Sequence, residues 1–286
     1  MSFLNQILRI VQDPPPSHLF ELSESGIAYS QSGQTGFLPF EPGTLVVSPV
    51  QDNVLRPDVA SSTIARLASP NGSKKRRPAA VILPDYAARL TILDFDSFPS
   101  ATEEQLSLIK FRVKKTIPFD IDSAAVSYFV QPASAGKRIE VVAVMVAVEI
   151  IARYEALFRG GGFHPGVVTT STLAALNLYH GKGVAVFAKL TGRALTITVI
   201  SDDTIKLFRC VMLEEASVEE ILSVLHPTFA YVEDELSAPV RSLVVCGISP
   251  DALTGLGCEV EPLRGRLGAP APHSAGLMGY LEQIQN

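Results

Sequence analysis

Apolar and polar positions alternate through LFELSESGIAYS, residues 19–30, which predicts a strand, a tight polar turn and a second strand. Such a turn either cradles a phosphate on its backbone N–H groups or merely reverses the chain. Farther on, TLVVSPV (44–50) reads as a strand and Val54 to Leu67 as a helix ending in Ser69-Pro70-Asn71-Gly72. Two strands follow, AAVILP and ARLTILDF, parted by Asp85-Tyr86. Ser100 and Glu103 stand at capping-box spacing, and Leu106, Ile109, Val113 and Ile117 mark one face of a helix that Pro118 stops. AAVSYFVQ and IEVVAVMVA alternate as strands before a helix over about 148–159 that ends in Gly160-Gly161-Gly162. The second half begins with a meander of GVAVFAKL, ALTITVIS and TIKLFRCV, with turns at Thr191-Gly192-Arg193 and Asp202-Asp203. Ser217, with Glu220 three places on, then caps another helix. Each half thus opens on strand, turn, strand and runs on to a helix. The pattern predicts a two-lobed α/β protein whose first lobe carries a small helix-strand-strand-helix insertion.

Composition narrows the class. Of the 286 residues, 47% are apolar and 19% charged, which suits a folded protein with a sizeable core. A net charge of −5 and a pI near 5.6 give no electrostatic reason to expect nucleic acid. The basic run Lys74, Lys75, Arg76 and Arg77 is a solvated loop or a contact for anionic lipid or an acidic partner. The opening MSFLNQILRIVQDPPP contains a short amphipathic run but no basic leader, long apolar stretch or small-residue cleavage site, and is not read as a signal peptide. The most apolar stretch, Val141 to Val148, lies between Glu140 and Glu149 and falls far short of the ~20 residues a bilayer requires. Cys210, Cys246 and Cys258 are odd in number and widely spaced, which suggests neither a disulfide framework nor a zinc site. A reducing cytoplasm fits best.

Enzyme signals are thin. His18, His164, His180, His226 and His273 are scattered, with no spacing that sets two ligands on one metal, and no metal site is expected. Gly181-Lys182-Gly183 lacks the spacing of a P-loop. The triple glycine at 160–162 follows a helix and is read as its stop rather than a phosphate wrap. Asp120 and Asp122 could chelate a cation, but two carboxylates without further ligands more often sit solvated.

FRVKKTIPFDIDSAAVSYFV, residues 111–130, resembles the stretch of the type IV pilus assembly protein PilM family in which a helix ends in an Ile-Pro-Phe turn and enters a strand. The run from Val141 to Tyr179 is similar to that family's strand, helix and Ala/Leu-rich helix, and HSAGLMGYL resembles its C-terminal helix. The resemblance spans nearly the whole chain and implies the actin-like (ribonuclease-H-like) ATPase fold shared with the cell-division protein FtsA. It implies a first lobe of residues 1–95, with 165–180 and 273–286 returning to it, an inserted subdomain of 96–164 and a second lobe of 181–272.

Against the family's nucleotide site the sequence departs. The first-hairpin pattern Asp-Ile-Gly-Ser-Ser-Ser-Ile-Lys is matched by Glu21, Leu22, Ser23, Glu24, Ser25, Gly26, Ile27 and Ala28, so the glycine has become Ser23 and an acid, Glu24, stands in the turn. The second-hairpin Asp-Ile-Gly-Ala pattern is matched by Lys189, Leu190, Thr191 and Gly192. A metal-holding acid has become a cation. A unit charge pair at ~4 Å in an effective dielectric near 20 is worth about 4 kcal/mol, so reversing its sign is enough to abolish ordinary metal binding. The family's paired glycines after the third strand are missing, and its adenosine-side Gly-Gly survives only as Cys246-Gly247. The expectation is a degenerate nucleotide site at Glu21, Ser23, Lys189, Thr191, Gly192 and Gly247, with no cofactor and no catalytic residue. The rival reading is an ATP- and magnesium-binding protein or ATPase with altered phosphate contacts.

The resemblance further implies a cytoplasmic scaffold of a type IV pilus or related secretion apparatus, tied to the inner membrane only through partners. In the family, the cytoplasmic N-terminal peptide of the membrane protein PilN lies between the first subdomain and the inserted one, and other pilus assembly proteins are partners too. By analogy an extended peptide docks near Ile117, Pro118 and Phe119. The plain alternative is that Phe119 plugs the core of the insertion. A type II secretion homologue is a third reading; those chains continue into a membrane-spanning helix, whereas this sequence ends at Asn286.

Overall fold

The computed structural model describes residues 16–31, 33–68, 77–132 and 138–285. The N-terminal amphipathic run and Lys74, Lys75 and Arg76 lie outside them. Strands β1 (His18–Ser23), β2 (Gly26–Gln31) and β3 (Gln34–Pro39) form an antiparallel meander. Gly26 begins β2 at φ +154, where a Cβ would run into the carbonyl oxygen of Leu38. Helix α1 (Pro57–Ala65) leads to β4 (Arg77–Leu83), which pairs in parallel with β1.

Two elements of this half differ from the pattern. The third strand is 34–39, not 44–50. Over 44–50 the backbone donors are taken by loop and side-chain acceptors: Val46 N donates to Asn53 O, Val47 N to Glu24 Oε1 and Ser48 N to Asn53 Oδ1, each at 3.0 Å. Pro49 has no N–H to give. The helix expected from Val54 starts at Pro57, because the Leu55 and Arg56 amides donate to the carbonyl of Thr44 and proline suits the first helical position.

The chain then builds the inserted unit from β5 (Arg89–Phe95), α2 (Thr102–Val113), β6 (Ala124–Val130), β7 (Ile139–Ala147) and α3 (Val148–Gly160). Its antiparallel sheet has the order β5-β7-β6 and so takes in 89–95, residues the pattern placed in the first lobe. The capping box at Ser100 does not form: α2 begins at Thr102 with Ala101 before it, which leaves Ser100 one place early. The glycine stop of α3 does form, with Gly162 at φ +80. β8 (Phe163–Thr170) returns beside β4 and completes the sheet β3-β2-β1-β4-β8, followed by the short helix α4 (Ser171–Ala175).

The second lobe repeats the plan. Antiparallel β9 (Val184–Thr191), β10 (Ala194–Ser201) and β11 (Thr204–Met212) lead to α5 (Val218–Leu236), then β12 (Ser242–Cys246) and β13 (Glu259–Pro262) join in parallel to give β11-β10-β9-β12-β13. The Ser217–Glu220 capping box closes as read. The last helix, α6 (Ala275–Ile284), comes back to α4: a Cβ at Gly276 or Gly279 would meet the backbone of Ser171 or Ala174. One apolar cluster joins all three units, with Phe129 and Val142 from the insertion, Leu173 and Leu176 from the first lobe, and Phe187 and Ile205 from the second.

Candidate functional site

The turn between β1 and β2 faces the turn between β9 and β10 across a cleft of about 490 Å³. Of the residues expected there, Glu21, Ser23, Lys189, Thr191 and Gly192 all line it. Gly247 does not: it sits at φ +78 beneath the Leu190 carbonyl and the Pro272 ring, so its lack of a side chain serves packing.

The charges of the cleft are held by the chain itself. Glu21, 1% exposed, accepts from the Ser171 hydroxyl and, at 2.7 Å, from the Leu277 N–H, so β1 is tied to the first turns of α4 and α6. Burial pushes its carboxyl above the usual glutamate range, against the pull of Lys189 and of these donors. Asp85, just past the buried end of β4, accepts from Thr172 N at 2.7 Å, Thr172 Oγ1 at 2.6 Å and Thr196 Oγ1 at 3.2 Å. It also pairs with Lys189 Nζ at 3.3 Å, the two side chains being 3% and 2% exposed. Burial works against the Lys189 ammonium, but the Asp85 and Glu21 carboxylates outweigh it and raise its pKa. Lys189 also donates to Thr191 Oγ1 at 2.9 Å, and Thr191 in turn to the Pro272 carbonyl at 3.2 Å.

At the mouth, Ser23 Oγ shares a 2.9 Å hydrogen bond with Ser25 Oγ and donates to Gly26 O, so the first turn is closed on itself. Glu24 accepts from Val47 N, with its second oxygen facing Gly192 across the gap. Arg193 donates to the Glu214 carbonyl at 3.3 Å. Burial raises the Cys246 and Cys210 thiols to about 11 and about 12, so both stay protonated at neutral pH. Among the described residues no group of three or more His, Cys, Asp and Glu side chains comes together as a metal site.

Asp85 is the site residue that sequence reasoning passed over as a mere break between strands. Its signal was an acid set one residue, Pro84, past the five apolar residues that end β4. Thr172 and Thr196 gave no signal, since a threonine in a strand or at a helix start is ordinary.

A second cavity, about 360 Å³, opens between the first lobe and the insertion. It is lined by Val50, Gln51 and Asp52 of the loop, by Pro118 and Phe119 of the insertion, and by Ala147, Glu149, Ile150 and Arg153 around the start of α3, where Arg153 pairs with Asp52 at 3.2 Å. Ile117 does not line it and packs in the core of the insertion. Phe119 is half-buried and touches both that core and the core of the first lobe, while lining the cavity as well. Asn53 fixes the loop wall by donating to the Tyr154 hydroxyl at 3.2 Å. The first-turn amides of α3 have no side-chain cap.

Two sheets of one topology facing across a cleft, with the last helix returned to the first lobe and a small α+β unit inserted there, define the actin-like ATPase fold. Among solved structures, the chain is similar to the PilM–PilN type IV pilus biogenesis complex, with a TM-score of 0.71 and 15% identity over 96% of this chain and 100% of that one. It is also similar to the cytoplasmic domain of EpsL, an inner-membrane component of the type II secretion system of Vibrio cholerae, at 0.57 and 15% over 92% and 94%. A Bacteroides thetaiotaomicron protein with an actin-like ATPase fold follows at 0.52 and 10% over 90% and 93%. At these identities the likeness is one of fold, and the fold expected from the PilM resemblance is borne out. No protein-family profile matches the chain, and no curated protein is significantly similar to it. Among the described residues, no helix is long and apolar enough to cross a membrane.

Proposed function

We propose that this protein is an actin-like scaffold of a pilus or secretion apparatus, working at the cytoplasmic face of the inner membrane by binding rather than chemistry. Its ligand is the extended N-terminal segment of a PilN-like membrane protein, held in the groove between the first lobe and the insertion. One contrast carries the reading: each charged side chain lining the interlobe cleft already has a partner within the chain, whereas the groove at Phe119 leaves Val50 54% exposed beside Pro118 and the half-buried Phe119 ring. An extended peptide fits such a slot with apolar anchors, its carbonyls accepting from the uncapped amides of α3.

The residues of the cleft do not suit magnesium and a triphosphate. A cation stands where the metal-holding acid is expected, its nearest carboxylate is already engaged, and Glu24 repels phosphate from the turn. Calorimetric titration with the cytoplasmic N-terminal peptide of a PilN-like membrane protein tests the function. Saturable one-to-one binding is expected, and Phe119→Asp weakens it by about 100-fold, the loss of one anchor residue. Because Phe119 also bridges two cores, Val50→Asp on the exposed loop is the companion variant, with a loss in the same direction. No heat with the wild-type protein contradicts the reading.

A further inference from the structure

A continuous path of polar groups crosses the cleft, and every member belongs to the chain. Asp85 is anchored in the first lobe by Thr172 and reaches Thr196 of β10 and Lys189 of β9 on the opposite wall. Lys189 passes to Thr191, and Thr191 to the carbonyl of Pro272, on the segment leading back to α6. A second tie joins the insertion to the edge of the other sheet. There the Gln131 amide, 2% exposed, donates to Ile205 O at 2.8 Å and accepts from Ile205 N at 2.7 Å, pairing with β11 as a strand would. Next to it Lys206 donates to both oxygens of Glu140 at 2.7 and 2.6 Å.

We infer that these ties form a permanent latch, with Asp85 and Lys189 as its bolt. They hold the two lobes in one closed arrangement without any ligand, so the groove at Phe119 is not gated by nucleotide. A nucleotide switch needs a ligand with different affinity for an open and a closed state. Here the charges such a ligand would bridge satisfy one another when closed, and opening would pull Asp85 away from both Lys189 and Thr196, breaking contacts between side chains that are 3% and 2% exposed in the pair. The surrounding threonine donors complete the carboxylate's hydrogen bonding, the condition under which a buried pair holds its place.

The inference rests on the reading of the cleft as unused by nucleotide, and hydrogen exchange on the full chain separates the two. In the wild type, amides of β9, β10 and α4 should exchange equally with and without millimolar ATP and magnesium. In Asp85→Asn/Lys189→Met, which removes both charges together, the same amides should exchange about tenfold faster or more, while β7 keeps its protection. If that variant does not fold, Thr196→Val, which removes one cross-cleft bond and no charge, should speed the same segments to a lesser degree. Exchange in the variants within about twofold of wild type overturns the latch alone. Protection of the wild-type cleft by ATP overturns the reading beneath it.

Discussion

Glu282 shows how one side chain can organise a surface corner. Its carboxylate is 4% exposed and accepts from His180 Nε2 at 2.9 Å and from Arg266 N at 3.0 Å. Burial opposes its charge, but the His180 and Arg266 bonds and charges outweigh burial and hold its pKa below the usual glutamate value. Below the unfolded value of 4.5 the unfolded chain therefore binds more protons than the native one at this position, so stability is lost as pH falls through that window. Glu282→Gln removes the titration. It should cost about 1 kcal/mol at neutral pH and flatten the decline in melting temperature below pH ~4.5. Parallel melting curves for the two proteins between acid and neutral pH would refute this. None of it was legible in the sequence, where Glu282 is one more polar residue of an amphipathic helix and its partners lie 102 and 16 positions away. Lys189 was the opposite case. A lysine inside an apolar strand is out of pattern, and its departure from the metal-holding acid of the resembling family pointed to the cleft directly. What the sequence withheld was Asp85, the acid that makes the lysine tolerable there.

Elements were legible where their signals are local. The hairpin turns, the Ser217–Glu220 box and the glycine stop of α3 all depend on residues a few places apart, and all form as read. The errors have tertiary causes. The segment 44–50 has strand composition, yet Glu24 and Asn53 take its donors from outside any sheet. The strand 89–95 follows β4 in sequence but finds its partner in β7, some 50 positions on, which no local pattern discloses. The glycines of α6 are a third example. Gly→Ala inside a helix ordinarily gains up to about 1 kcal/mol. At Gly279, however, the added methyl runs into the Ala174 backbone, so Gly279→Ala should destabilise by about 1–3 kcal/mol in urea unfolding. A gain in stability would show that α4 and α6 are free to move apart, contrary to the Glu21 bonds that tie both to β1.

At the scale of the molecule, the repetition of meander and helix in two halves was enough to give the architecture, because each lobe carries its own hydrophobic period. The closure of the lobes was not, since it depends on pairs such as Asp85–Lys189 and Gln131–Ile205 that no periodicity marks. That closure is the centre of the proposal: across the cleft between the lobes, Asp85 and Lys189 pair with each other. The most direct test is the thermal stability of the protein in rising ATP with magnesium. A site with Kd near 10 μM would stabilise it by about 2.7 kcal/mol at 1 mM nucleotide and raise Tm by several degrees. With the cleft charges paired to each other, Tm should stay unchanged across the titration; a saturable rise of that size would show that the cleft still takes nucleotide.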